Sequence, residues 1–310
     1  MRVLVTGAAG HTARALLPAL LADPGIDRIV ALDRYPPILT HPRITPLQAD
    51  IRDPDLARYL ESTDVVIHLA FIVLAQSLGR QRRDRALMRA INVTGSQNLF
   101  RAARQAGVRQ VVYTSSVAAY GAWPDNPARI PETQPRRPQP GFAYGEDKAA
   151  VEQWLDTFTG QHPDLAVTRL RLHAVIGPHG QALVNAIATS PVGLRLPDPD
   201  LRIQCIHEED AVGAILAALH YGQQGIFNVA APHPIPWQQI PRRLTLPLPI
   251  ALAHRLHRIV WPFTAVLGDP GWLWGLRYPL VVDTRRAQTE LAWQARYDVA
   301  TAIAQVRAGK

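Results

Sequence analysis

The chain has 310 residues, with 33 Lys+Arg against 25 Asp+Glu, a net charge of +8, and one cysteine. That length buries a core without staples, and a lone Cys205 excludes an internal disulfide or a cysteine-rich zinc site. At 47% hydrophobic and 19% charged it is too apolar for a disordered protein, yet it has no run of about 18 apolar residues to span a membrane.

The opening Met1–Gly7 is a short apolar run cut off by glycine, too short for a secretory core, so a cytoplasmic protein is expected. Arg2–Thr6 reads as a strand buried on both faces, and Thr12–Leu21 as the helix after it. Between them, Gly7 allows a tight turn, Gly10 lets backbone approach a pyrophosphate, and Ala13 allows close helix–strand packing. Ala9, His11 and Thr12 complete the candidate phosphate-binding turn. The second strand, Arg28–Leu32, runs into Asp33, an acid placed to accept both ribose hydroxyls. That favours NAD over NADP, although the adjacent Arg34 offers a partner for a 2′-phosphate. After a third strand, Ile44–Leu47, Asp50 is expected to meet an adenine amino group while Ile51 packs on the ring. The fourth strand, Val65–Leu69, ends at Leu69, Ala70 and Phe71, where cofactor contact is expected; His68 within it reads as packed, with no metal site.

Arg80, Arg82, Arg83, Arg85 and Arg89 form an arginine-rich stretch. Guanidinium forks suit phosphate or carboxylate, so Arg82 and Arg83 are candidates for an anionic substrate, against a solvated helix face or a dimer edge. The helix Ala86–Gln105 and a fifth strand, Val111–Thr114, lead to Ser116, a donor at a strand end. A helix over Tyr144–Phe158 carries Tyr144 and Lys148 at i and i+4, on one face. A nearby ammonium and the positive nicotinamide ring stabilise phenolate, so Tyr144 is expected to titrate below its ordinary value near 10 and to serve as acid or base. Ala166–Leu172 is the sixth strand. Beyond it prolines become dense, Glu209–Leu219 reads as a helix and Gly225–Val229 as a strand returning to the sheet. The alternation predicts an α/β, doubly wound parallel sheet of the Rossmann type. Residues 1–172 form the dinucleotide-binding domain; 173–310 form a small interleaved substrate-binding region, with 203–230 returning.

Thr6-Gly7-x-x-Gly10-x-x-Ala13, Asp33, Asp50-Ile51, His68-Leu69-Ala70, Asn92-Val93-Thr94-Gly95, Ser115-Ser116, Tyr120-Gly121 and Tyr144-x-x-x-Lys148 follow one another in a telling order. Arg171, Gly177-Pro178, Ile206-His207-x-Glu209-Asp210, Gly225-x-Phe227-Asn228-Val229 and Leu291-Ala292-Trp293 continue it. Across nearly its whole length the chain resembles the extended short-chain dehydrogenase/reductases, the NAD-dependent epimerase/dehydratase family. The resemblance implies Ser116, Tyr144 and Lys148 as the catalytic trio, with Asn92 supporting the central helix. It also implies that Asn92, Tyr144, Lys148 and Val175 stand at the cofactor, with Lys148 on the nicotinamide ribose. A homodimer through helices Arg85–Gln105 and Tyr144–Phe158, packed as a four-helix bundle, is implied as well.

Departures from the family pattern bear on the substrate. The residues after Ser116 are Val117-Ala118-Ala119, where family dehydratases carry an acid pair, so dehydration is not expected. Ala174 stands where many nucleotide-sugar epimerases carry asparagine, and His173 beside it either faces substrate or packs. The apolar stretch Leu246–Trp274 is a lid, a membrane-surface contact or ordinary packing, with packing favoured. The expected activity is hydride transfer between nicotinamide C4 and a secondary alcohol or ketone, as a sugar-type epimerase or a dehydrogenase. The alternatives are a hydroxysteroid-dehydrogenase-like enzyme for a hydrophobic alcohol and a non-catalytic dinucleotide-binding regulator. Nucleic acid is not expected, because charge alone speaks for it.

Overall fold

A computed structural model describes residues 1–37, 39–73, 84–196, 198, 200–263 and 268–308. The chain opens with β1 (Arg2–Thr6), α1 (His11–Ala22), β2 (Arg28–Asp33), β3 (Ile44–Gln48) and β4 (Val65–His68). Then come α2 (Arg85–Arg89), a π-helical turn (Ala90–Gly95), α3 (Ser96–Gln105), β5 (Gln110–Ser116), α4 (Ala143–Gln161) and β6 (Ala166–Leu172). The second part runs β7 (Val175–Ile176), α5 (Ala182–Thr189), β8 (Val192–Leu194), β9 (Arg202–Ile203), β10 (Ile206–His207) and α6 (Glu208–Tyr221). It ends with β11 (Gly225–Val229), β12 (Ile235–Pro236), β13 (Leu244–Leu246), α7 (Ile250–Val260), α8 (Arg285–Glu290) and α9 (Val299–Ala308).

Seven strands form one parallel sheet in the order β11-β6-β5-β4-β1-β2-β3. Nearly every position of β1, β4, β5 and β6 is buried, because helices cover both faces. On one face, Leu16, Leu17 and Leu20 of α1 pack with Ala211, Ile215 and Ala218 of α6. On the other, Leu99 and Phe100 of α3 pack with Val151, Leu155 and Phe158 of α4. The strand order reverses between β1 and β4, and a crevice opens there at the carboxyl ends of the strands.

The helix expected over Ala86–Gln105 is divided by the π-helical turn. Gly95 closes that turn against Ile51, whose Cδ1 would lie 2.8 Å from any Cβ there. Strand β11 pairs in parallel with β6, and α6 joins the main core. A second return was not anticipated: Ala287, Leu291 and Trp293 also pack into that core. A separate core, including Ile176, Leu196, Trp237, Ile250 and Ile303, holds the remaining C-terminal elements together.

Candidate active site

Strand β1 ends in a turn that only glycine fits at its first position. Gly7 has φ +72°, and a Cβ there would lie 2.7 Å from the backbone nitrogen of Ala70, at the end of β4. The turn therefore comes to rest on Leu69-Ala70, and α1 begins at His11. No side chain caps this helix end and no acid sits in its first turn, so its N–H groups are free to meet an anion. Asp33 ends β2 beside the turn: its Oδ2 accepts from the Ala9 backbone N–H at 3.0 Å and its Oδ1 from that of Tyr35 at 3.0 Å. These residues fit the pyrophosphate and ribose of a dinucleotide.

The cavity at this crevice has a volume of about 440 Å³. Gly7, Gly10, His11, Thr12, Leu69, Phe71, Ser116, Tyr144, Lys148, His173 and Val175 all line it, so most of the residues singled out in the sequence meet there. Residue 145 had no assigned role, yet it must be small. A Cβ on Gly145 would lie 2.9 Å from the Ala118 carbonyl oxygen, so glycine lets α4 press Tyr144 against the turn that carries Ser116. Burial pushes the Tyr144 phenol above its ordinary pKa, and the neighbouring Ser116 hydroxyl offsets only part of that.

Lys148 is buried, its ammonium donating to the Thr114 carbonyl at 2.6 Å and lying 3.6 Å from the Phe71 ring centre. Burial lowers its pKa to about 7, against the pull of Glu152 and Asp147. The expectation that Lys148 depresses Tyr144 is thus corrected for this arrangement. Desolvation disfavours both charged forms and moves the two values toward each other. Thr114, Phe71 and Glu152 shape the lysine's surroundings, and the sequence signal for Glu152 was its i+4 spacing from Lys148. Glu152 itself accepts from Ser115 Oγ at 2.5 Å and from Arg171 Nε at 2.9 Å, joining α4 to β5 and β6.

Several expectations change. Asn92 does not line the cavity. It is fully buried; its Oδ1 accepts from Ile72 N–H at 2.9 Å, and its Nδ2 donates to Ile72 O at 2.9 Å and to Asp147 at 3.1 Å. Both of its N–H donors are used, so it ties the β4 loop to α4, with one acceptor position of Oδ1 left over. Asp50 is already held by Arg52, at 3.0 and 2.7 Å, and Arg34 lies 3.7 Å from the same carboxylate. Ile51 is a core residue beneath Gly95 and offers no open face to an adenine ring. Arg82 and Arg83 lie outside the described residues, as does Arg80. Arg85 and Arg89 do not face the cavity: Arg85 holds the buried Asp147 at 2.9 and 2.7 Å, and Arg89 lies 3.4 Å from it. Their charge is spent on joining α2 to α4.

His173 lines the cavity with its ring paired, Nε2 to Leu280 O at 2.9 Å and Nδ1 to Ala174 N–H at 2.8 Å. Burial lowers its pKa to about 4, so it is neutral. His68 is buried between Thr6 and Ser96, at 2.8 and 2.9 Å, and burial lowers its pKa to about 3, as suits a packed histidine. Sequence reasoning missed Phe142, Gln181, Leu183 and Glu208 on the cavity wall; Asp269 and Trp272, from the apolar stretch Leu246–Trp274, line it as well.

The model of the NAD dependent epimerase/dehydratase family matches residues 3–230. The chain belongs to that family. It is accordingly an NAD-dependent enzyme of the extended short-chain type. An uncharacterized protein of Mycobacterium tuberculosis (strain H37Rv) is 29% identical over 317 residues, covering 97% of this chain and 82% of the relative. A UDP-glucose 4-epimerase of Mycolicibacterium smegmatis is 35% identical over 200 residues, 60% of this chain and 61% of that one. A 3 beta-hydroxysteroid dehydrogenase/Delta 5-->4-isomerase of Mycobacterium tuberculosis is 36% identical over 159 residues, 50% of this chain and 42% of that protein. Among solved structures, MoeE5 in complex with UDP-glucose and NAD superposes with a TM-score of 0.73 at 25% identity, covering 99% of both chains.

Proposed function

We propose that this family member transfers hydride between NAD and a carbinol carbon, with Tyr144 moving the hydroxyl proton. The observation that carries the reading is that Ser116, Tyr144 and Lys148 line the same cavity as the uncapped glycine turn. Gly7, Gly10 and Asp33 would hold NAD, which in its oxidised form would supply a hydride acceptor and a positive ring. Ser116 orients the substrate oxygen toward the phenol. Tyr144, kept protonated by burial, is ready as an acid toward a ketone. Toward an alcohol it must give up its proton first, and positive charge beside it favours that. Lys148, with a pKa of about 7, carries a proton readily in either direction near neutral pH.

A ring carbinol of a sugar-type substrate is the leading assignment, supported by the epimerase relative. Two side chains of the wall argue against dehydration: Val117 and Ala118 follow Ser116, so no acid pair stands beside it. A second reading rests on Phe142, Leu183, Ile187, Trp272 and Leu280, which make the far wall apolar and suit a hydrophobic alcohol. The division of the chain follows the same logic, with residues 1–172 and 203–230 for the dinucleotide and the rest for substrate. A homodimer through α2–α3 and α4, and a cytoplasmic location, complete the proposal; sedimentation velocity tests the dimer. Among the described residues no helix is long and apolar enough to cross a membrane.

The test is a thermal-shift screen with NAD, NADP, nucleotide sugars and hydroxysteroids, followed by turnover of whichever binds. Tyr144→Phe should lower kcat by about 10² to 10⁴ while leaving NAD affinity unchanged. A fully active Tyr144→Phe enzyme would remove the assignment.

A further inference from the structure

Helix α7 buries one stripe and exposes the opposite one, but both are apolar. Ile250, Ala253 and His257 face inward. Leu252, Leu256 and Ile259 recur at helical spacing on the outside, exposed by 44%, 47% and 65%, and Phe263, in the turn that follows the helix, is exposed by 83%. A surface helix ordinarily turns polar residues outward, and a contiguous apolar stripe marks a contact. Arg255 and Arg258 are exposed on the flank of this stripe. From Ala211 to Gly268 the sequence holds four arginines and no acid; the next acid, Asp269, lies on the inner side of the helix, where its charge reaches His254. Upstream, Arg243, Leu244 and Leu246 are exposed too, and lead directly into the helix.

We infer that α7 is an interfacial helix that seats its outer stripe in an anionic lipid bilayer, with Arg255 and Arg258 on the headgroup phosphates. An apolar stripe bordered by arginines, on a helix that itself holds no acid, is the pattern that lies in a membrane interface. A protein partner of mixed charge would meet no counterpart here for its basic groups. The inner face of α7 packs on the turn Pro270–Leu276, where His254 lies 4.6 Å from the ring of Trp274. Trp272 of the same turn lines the cavity, so a docked helix sets the cavity beside the bilayer. The inference does not depend on the proposed chemistry.

The experiment is flotation of the full chain with phosphatidylcholine vesicles, with and without about one-third phosphatidylglycerol. The wild type should float with the anionic vesicles, less so at high salt. Arg255→Gln/Arg258→Gln should lower that partition by about fivefold per arginine. Leu256→Gln/Ile259→Gln, and independently Phe263→Ser, should abolish it with the melting temperature unchanged. A wild type that stays in solution with both vesicles overturns the inference. So does a Leu256/Ile259 variant, or a Phe263 variant, that still floats. Sedimentation velocity covers the remaining outcome: if the Leu256/Ile259 substitutions split a dimer and leave flotation intact, the stripe joins two copies and the membrane assignment falls.

Discussion

Replacing Lys148 with methionine keeps the stem and removes the ammonium. In the folded protein Lys148 is 2% exposed, and burial lowers its pKa from 10.5 to about 7. In the unfolded chain it returns to its ordinary value. Between these two values the unfolded state binds the extra proton, so wild-type stability rises with pH through that window. The fall from 10.5 to about 7 costs about 5 kcal/mol below the window and nothing above it, at about 1.4 kcal/mol per pH unit. Methionine escapes that cost, while losing the hydrogen bond to Thr114 and the cation–π contact with Phe71. Urea unfolding of both proteins at pH 7 and pH 10 should therefore show the stability gap moving toward the wild type by roughly 3 kcal/mol. The variant should lose activity by at least about 10² at every pH. A stability gap that is equal at the two pH values would refute the burial argument, whatever happens to activity.

Three other outcomes follow from the geometry. Gly7→Ala forces a Cβ to within 2.7 Å of the Ala70 nitrogen at φ +72°, so NAD affinity should fall by at least about tenfold, read by titration. Glu152→Ala leaves Arg171, 1% exposed, without its counter-charge and should cost about 3 to 5 kcal/mol in unfolding experiments. Burial alone would raise the Glu152 pKa, but the hydrogen bonds and charge of Arg171 outweigh it and hold the carboxyl low. The pair's stabilisation is thus present above the ordinary carboxyl range and lost as acid pH falls through the lowered value. Asp33→Ser removes the acceptor at the end of β2, and the ratio of NAD to NADP affinity should shift toward NADP by about tenfold or more.

Strand–helix alternation, the glycine turn and the Tyr144–Lys148 spacing were legible in the sequence, because each depends on backbone geometry over a few residues. The strands of the main sheet lie within two residues of their expected ends. Roles that depend on desolvation or on distant partners were not legible. Arg85 belonged to an arginine-rich stretch with no partner in view, and Asp147, 62 positions away, neutralises it. Asn92 carries a family motif, and only the fold shows that its amide binds the Ile72 backbone and the buried Asp147. Ile51 looked available to an adenine ring and instead fills the space beneath Gly95.

The net charge of +8 shows the same division. The sequence by itself determined how many charges there are and that residues 211–268 hold no acid. Only the tertiary structure decided which arginines are paired within the protein and which, on α7, stand exposed beside an apolar stripe. It also decided that Tyr144 and Lys148 are both pushed toward their neutral forms. Composition and periodicity are local properties of the chain, whereas pairing and burial depend on which distant surfaces folding brings into contact.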